Sequence, residues 1–391
     1  MRAETLRILC ATAVATTILA TPATAAPAAP PPAAPPPAAQ SVGRLLTELQ
    51  KLYRQAEQAT ETYNATAVAL KKQQREAALL GKDLTKARKD LTASRAAAGR
   101  LARRQYQGDS ELSPYVRLLL ARDPRSALDQ GHVLRRLTDR RARTIDRLTA
   151  GEKHAASLAT RSRKALDKQT ALAGQQKKQR DTVRQKLAEV EKLLAGLSAE
   201  ELAELSRLET AGTEKAQQSL LASGALGAPG PGGSPAATRA PSSAGDKAVR
   251  HAVRQIGKPY VWGAEGPESY DCSGLTSQAW AEAGRTIPRT SQEQWKQLPR
   301  VPLKSLRPGD LVVYFPDATH VALYLGDGLV VQAPRPGTKV KVSPIAANPL
   351  LGAVRPDPGA PPVDDYRPPK LPKGARDGSD TGYGSATAPD A

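Results

Sequence analysis

Tyr270-Asp271-Cys272-Ser273-Gly274-Leu275 and, further on, the run from His320 through Gly326-Asp327-Gly328 to Gln332 are the stretches on which the reading of this chain turns. After the first, Leu275, Ala279 and Ala283 recur on one helical stripe and Gly284 stops it, so a helix opens at Cys272. In the second, two apolar runs flank Gly326-Asp327-Gly328, the pattern of an antiparallel hairpin. A three-residue loop pairs Leu325 with Leu329, which sets Gln332 opposite Ala322 and one diagonal step from His320 on the same face. Working outward, Pro308-Gly309-Asp310 turns into a further strand, Leu311 to Phe315. Upstream, Asp246 is the expected N-cap of a helix carrying Val249, Ala252, Val253 and Ile256, ended by Gly257 and Pro259. Helices first and antiparallel strands after make residues 246–355 an α+β module.

The module holds one cysteine, Cys272, and two histidines, His251 and His320. At a helix N-terminus, unpaired N–H groups and the helix dipole favour a thiolate, so Cys272 is expected to have a lowered pKa. A thiolate beside an imidazole is an activated nucleophile, and the imidazole can return the proton to a leaving amine. The N–H of Cys272 is a candidate oxyanion donor. The Gln332 side-chain oxygen is positioned to accept from the His320 ring and orient it. His251, on the first helix, reads as structural.

These residues resemble the NlpC/p60-type bacterial cell-wall cysteine peptidases. The resemblance rests on Gly257-Lys258-Pro259-Tyr260-Val261-Trp262-Gly263, Tyr270 to Leu275, Pro288-Arg289-Thr290-Ser291, Leu306 to Leu311 and His320 to Gly326, in that order. It implies a papain-like fold and hydrolysis of peptidoglycan stem peptides, commonly at the D-glutamyl to diaminopimelyl bond. It maps the nucleophile to Cys272, the base to His320, the third polar residue to Gln332, and the tyrosine near the nucleophile to Tyr260. Asp271, Ser273, Arg289 and Ser291 are the supporting or substrate-binding candidates. The third position in this family is often His or an acid. Gln332 can orient imidazole but cannot stabilise imidazolium by charge.

The rest of the chain has a different character. Arg2 and Arg7, an apolar stretch from Ile8 to Ala20 and Ala23-Thr24-Ala25 predict an export signal over 1–25, too short in its apolar part to span a bilayer. Its removal would leave Cys272 as the only thiol, with no partner for an internal disulfide. Residues 26–40 are an Ala/Pro spacer. From Val42, apolar residues recur at alternating spacings of three and four as far as Leu101, interrupted by Thr66, Gln73 and Ser94. A second helical region from about 130 to 208 has its seam at Val183, Leu187, Val190, Leu194 and Leu197. An all-α coiled-coil hairpin over 41–222 is therefore expected to precede the module. A Gly/Pro/Ser linker (223–245) joins the two, and a disordered Pro/Gly-rich tail (356–391) follows.

The chain of 391 residues carries a formal charge of +19, and 36 basic against 22 acidic side chains place +14 on residues 41–220. That is a solvated helical face or an attraction to anionic wall polymers. Nucleic acid is a poor partner, because all three tryptophans and the sole Phe lie between 260 and 320, away from the basic region. No cofactor or metal is expected.

The favoured reading is a secreted, wall-associated peptidoglycan endopeptidase whose helical region positions or restrains it. The runner-up is a coiled-coil scaffold or activator of another wall hydrolase, with the module as a wall-binding pseudoenzyme. An amidase or transpeptidase of related fold is the enzymatic variant.

Overall fold

A computed structural model describes residues 37–107, 123–227 and 239–377, together with 116 and 119. The export signal, most of the Ala/Pro spacer, the connection over 108–122 apart from 116 and 119, residues 228–238 of the expected linker and the last residues, 378–391, lie outside the described residues.

Two long helices, α1 (Pro37–Gln107) and α2 (Pro124–Ala195), pack antiparallel. Leu49 and Tyr53 meet Val190 at one end, whereas Ala77, Leu80 and Ala87 meet Ala155, Leu158 and Ala165 nearer the other. Farther along, Arg95 pairs with Glu152. From Leu70 onward, the buried and half-buried positions of α1 keep the alternating three-and-four spacing of the sequence. Gln73 is buried in this seam and donates to the Ala165 carbonyl at 3.4 Å.

α1 begins at Pro37, inside the expected spacer. The second helical region is not continuous to Leu208. It breaks at Gly196 and restarts as α3 (Ala199–Ala222), because Ser198 and Glu201 form a reciprocal capping box.

The module holds α4 (Ser243–Arg254), α5 (Cys272–Glu282), α6 (Ser291–Gln297) and six strands: β1 (Arg300–Val301), β2 (Leu311–Tyr314), β3 (His320–Gly326), β4 (Leu329–Gln332), β5 (Lys341–Pro344) and β6 (Leu350–Val354). They form one sheet in the order β1-β6-β2-β3-β4-β5, every pair antiparallel. This is the expected papain-like α+β arrangement.

All four residues of β2 are buried because both sheet faces are covered. Leu311, Val313, Val321, Leu323 and Val331 face α4 and α5, packing with Ala248, Val249, Leu275, Ala279 and Trp280. Val312, Tyr314, Ala322 and Val330 form the second face, which Leu220 of α3 helps to cover. The helical hairpin is thus bound to the module through α3 as well as through the chain.

Two local expectations are corrected. The N-cap of α4 is Ser242, not Asp246, and its hydroxyl accepts from Gly245 N–H. Asp246 lies in the first turn, where it pairs with Arg250 at 2.9 Å. The β3–β4 loop has two residues, not three. Asp327 and Gly328 both take positive φ (53° and 69°), the conformation of a tight hairpin turn whose twist suits the strands. A register shift after Tyr324 absorbs the extra residue, so Gly326 pairs with Leu329 while Leu323 still pairs with Val331.

Finally, the expected disordered tail packs on the module as far as it is described. Asp357 is buried against Arg307 at 2.9 Å and accepts from the Ser242 hydroxyl. The Ala375 carbonyl accepts from Val342 N–H at 2.8 Å on β5, and Val363 N–H donates to Pro241. Composition marked the segment as unable to form its own core. It borrows one from the sheet edge.

Candidate active site

Cys272 is the first residue of α5, with Asp271 as N-cap accepting from Gly274 N–H at 2.6 Å. The helix start is held by a dense polar set. Asp271 also accepts from Gly263 N–H at 2.9 Å and forms a two-pronged ion pair with Arg289, at 3.0 and 2.7 Å. Arg289 donates in addition to the Ser273 hydroxyl at 2.8 Å. A buried ion pair of this kind fixes geometry strongly, since removing one partner strands the other charge. Ser291 opens α6, and its N–H points into the same cleft.

His320 is the first residue of β3 and is fully buried. Its Nε2 lies 2.7 Å from Gln332 Oε1. The amide oxygen accepts, so Nε2 carries the proton and Nδ1 is the basic nitrogen. The His320 ring also packs tilted on Tyr314, with centroids 5.6 Å apart. Val321 N–H donates to the Cys272 sulfur, which places the thiol at the start of β3, next in sequence to His320. Tyr260 is buried near the same sulfur, its hydroxyl pushed well above its ordinary pKa by burial first and by Cys272 next. All eight side chains singled out from sequence therefore surround one cleft. His251 does not; it sits on α4, its pKa lowered by burial and then by Arg254.

Two features of the cleft were not legible in the sequence. The cleft is covered by α1, whose Glu57, Glu61 and Asn64 enter it. Glu61 accepts from the Ser273 hydroxyl and from Ser291 N–H, each at 2.8 Å, and lies 4.0 Å from the Cys272 sulfur. Asn64 donates to Asp271 at 3.0 Å, and Glu57 Oε1 stands 3.5 Å from His320 Nδ1.

The thiol pKa is the second difference. The helix N-terminus predicted a lowered value, but the Cys272 thiol is pushed well above its ordinary pKa. Burial is the main cause, followed by the negative charges of Glu61, Asp271 and Glu57. Only those glutamates are foreign to the module. In sequence they read as part of a solvated helix face, and their spacing alone carried no signal of a target.

Glu61, Asp271 and Cys272 bring ligand-type atoms within 4.8 Å of one another. Hydrogen bonds from the Ser273, Arg289 and Asn64 side chains and from the backbone N–H groups of Gly263, Gly274 and Ser291 already engage the two carboxylates, so this donor set makes no case for a metal. Among the described residues, no helix is long and apolar enough to cross a membrane.

Residues 257–351 match the NlpC/P60 family model. A probable endopeptidase of Corynebacterium glutamicum is 43% identical over 122 residues, which is 31% of this chain and 58% of that relative. Thus the chain spans little more than half the length of that curated relative. Among solved structures, the NlpC/p60 domain of the peptidoglycan hydrolase SagA is 33% identical, covering 28% of this chain and 97% of that one, with a TM-score of 0.27. RipD of Mycobacterium tuberculosis, described as a non-catalytic NlpC/p60 domain protein adapted to peptidoglycan binding, is likewise 33% identical, covering 29% and 96%, with a TM-score of 0.27. With the ordered motifs of the sequence and the α+β cleft they build, the C-terminal module of this chain belongs to the NlpC/P60 family.

Proposed function

We propose that the chain is an exported, cysteine-type peptidoglycan endopeptidase that cleaves stem peptides at the D-glutamyl to diaminopimelyl bond, in wall remodelling or cell separation. The observation that carries this reading is the thiol of Cys272 at the N-terminus of α5, beside a His320 whose Nε2–H is held by Gln332. The naming of relatives as a probable endopeptidase and a peptidoglycan hydrolase supports the substrate class. The basic residues of 41–220 support attraction of the helical hairpin to anionic wall polymers. The export signal expected over 1–25 supports action outside the cell.

In this mechanism, His320 Nδ1 takes the Cys272 proton and the thiolate attacks the scissile carbonyl carbon. The carbonyl oxygen becomes an oxyanion, held by Cys272 N–H at the helix terminus. As the C–N bond breaks, the imidazolium returns the proton to the leaving amine, and a thioester remains. Water, deprotonated by the same imidazole, then hydrolyses the thioester and restores the thiol. Gln332 keeps the ring in the Nε2–H tautomer throughout.

Because the amide orients without adding charge, Gln332→Ala is expected to lower kcat by roughly ten- to a thousand-fold with little change in KM. Gln332→Glu, which still accepts from Nε2–H, should retain activity. Steady-state kinetics on purified muropeptides checks both, and a wild-type kcat for the alanine variant would exclude the orienting role.

The direct test of function is digestion of purified peptidoglycan by the whole chain and by residues 239–377, with mass spectrometry of the soluble products. New diaminopimelyl amino termini are expected. Wall binding by both proteins with no new termini from either would assign the module to binding, as described for RipD.

A further inference from the structure

We propose that α1 is a built-in inhibitor of the cleft, a latch whose polar face shuts over Cys272 and His320 and must swing away before a peptide can bind. Arg54, Glu57, Glu61 and Asn64 stand at i, i+3, i+7 and i+10, one face of the helix. Each meets a different part of the cleft. Arg54 pairs with Asp317 at 3.3 Å, Glu57 faces His320 Nδ1, Glu61 takes Ser273 and Ser291 N–H, and Asn64 takes Asp271. On the neighbouring turn, Tyr63 packs edge-on against Trp262, with centroids 5.0 Å apart.

The result is occlusion at the reacting atoms. Cys272 is 3% exposed, and Glu57 occupies the position at Nδ1 that proton transfer requires. No extended peptide reaches the sulfur while α1 is in place. The same contacts hold the thiol in its unreactive, protonated form.

The covering is built to separate. A second strap, α3, holds the hairpin down through Leu220 on the sheet face and through polar contacts at three points. Glu209 pairs with Arg335 at 3.1 Å, Gln217 donates to Gly328 O at 3.0 Å, and Gln217 accepts from Ala346 N–H at 3.1 Å. Between the two straps lies a cavity of about 910 Å³ bordered by Tyr53, Glu57, Phe315 and Arg335. A small, mostly polar attachment beside an open cavity resembles the interfaces on which domains move.

The latch also takes up protons when it closes. Around Glu61 stand Asp271, Cys272, Ser273, Arg289, Ser291 and Asn64; around Glu57 stand His320, Arg335, Arg54 and Asp317. Burial, opposed by Arg335 and reinforced by Glu61, pushes Glu57 up to about 8. Burial and then Asp271, opposed by Arg289, push Glu61 up to about 7. In the open form both carboxyls return toward 4.5. Their contribution therefore favours the closed form most below about pH 4.5 and is lost as pH rises through about 7 to 8, by up to about tenfold in the closing equilibrium per pH unit for each group.

The test is the rate at which iodoacetamide alkylates Cys272 in the whole chain, read by mass spectrometry of the peptide that contains it. Wild type at pH 6 is expected to react at least about a hundredfold more slowly than Glu61→Lys, which sets a cation against Arg289. Gln217→Lys, on α3 and away from the cleft, should speed alkylation in the same direction, so the result does not hang on one variant's folding. The wild-type protection relative to Glu61→Lys should fall at least about tenfold between pH 6 and pH 8. The Glu57→Gln/Glu61→Gln chain should stay protected across that range. Equal alkylation rates in wild type and both lysine variants would overturn the latch. Its consequence for hydrolysis rests on the proposed endopeptidase reading, and the outcomes are separable. Faster alkylation without muropeptide cleavage would keep the latch and remove the enzyme.

Discussion

Cys272→Ala, made in a chain already opened by Glu61→Lys, is expected to abolish muropeptide release, with a loss of at least about ten-thousand-fold. The loss follows from the chemistry: no other side chain of the cleft can form the thioester, and His320 without a thiol has only water to activate. The variant should fold, because a buried Cys→Ala change removes one atom and costs only about 1 kcal/mol. Peptidoglycan binding should survive, since Arg289, Ser273 and Ser291 N–H are untouched. Hydrolysis within tenfold of the parent would end the thiol mechanism, whereas joint loss of binding and of the thermal transition would mark a folding defect instead. The opened background matters because closure of α1 slows the parent, and a loss of this size is readable only from a fast parent.

Gly274→Ala should have the largest effect on stability of any single methyl addition in the site. A Cβ at this position in the first turn of α5 would stand 2.1 Å from the Ala264 carbonyl oxygen and 2.9 Å from Asp271 Oδ1. The Ala264 oxygen is also the acceptor for Asp271 N–H at 3.1 Å, so the loop cannot retreat without breaking the bond that seats the N-cap. An overpacked backbone contact of this kind costs about 3 kcal/mol or more. For a module of this size, that lowers Tm by roughly 10–20 °C. Thermal denaturation followed by circular dichroism checks it. A Tm within about 2 °C of the parent would show that the loop is free to move and that the tight approach is not needed.

Much of the α+β module was legible in advance because its signals are local. The α5 stripe of Leu275 and Ala279, the turn at Pro308-Gly309-Asp310 and the paired apolar runs around Asp327-Gly328 each name an element within a few residues. The register counted from the expected Leu325–Leu329 pair holds at Leu323 and Val331 even though the loop itself was misjudged. One extra residue in a bulge repairs a loop-length error. The side chains of Cys272, His320, Gln332, Tyr260, Asp271, Ser273, Arg289 and Ser291 were selected by type and motif, and the fold gathers them round one cleft.

The tail and the helix break were misjudged for opposite reasons. Residues 356–377 are poor in apolar periodicity, yet Asp357 finds Arg307 and Ala375 finds β5, partners that no local pattern announces. The seam over Val190, Leu194 and Leu197 is continuous, but the capping box of Ser198 and Glu201 outcompetes helix continuation at Gly196.

By itself, then, the sequence determined α4, α5, β2, the β3–β4 hairpin and the residue types that the cleft gathers, all signalled by neighbours a few residues apart. Only the tertiary structure decided the state of that site. Glu57 and Glu61 are separated from Cys272 and His320 by more than two hundred residues, and a carboxylate on a basic helix reads as solvated until its contact is known. Brought into the cleft, the same carboxylates raise the thiol pKa that the helix N-terminus alone would lower. Burial and long-range charge decide protonation, and neither is a property of the chain read residue by residue.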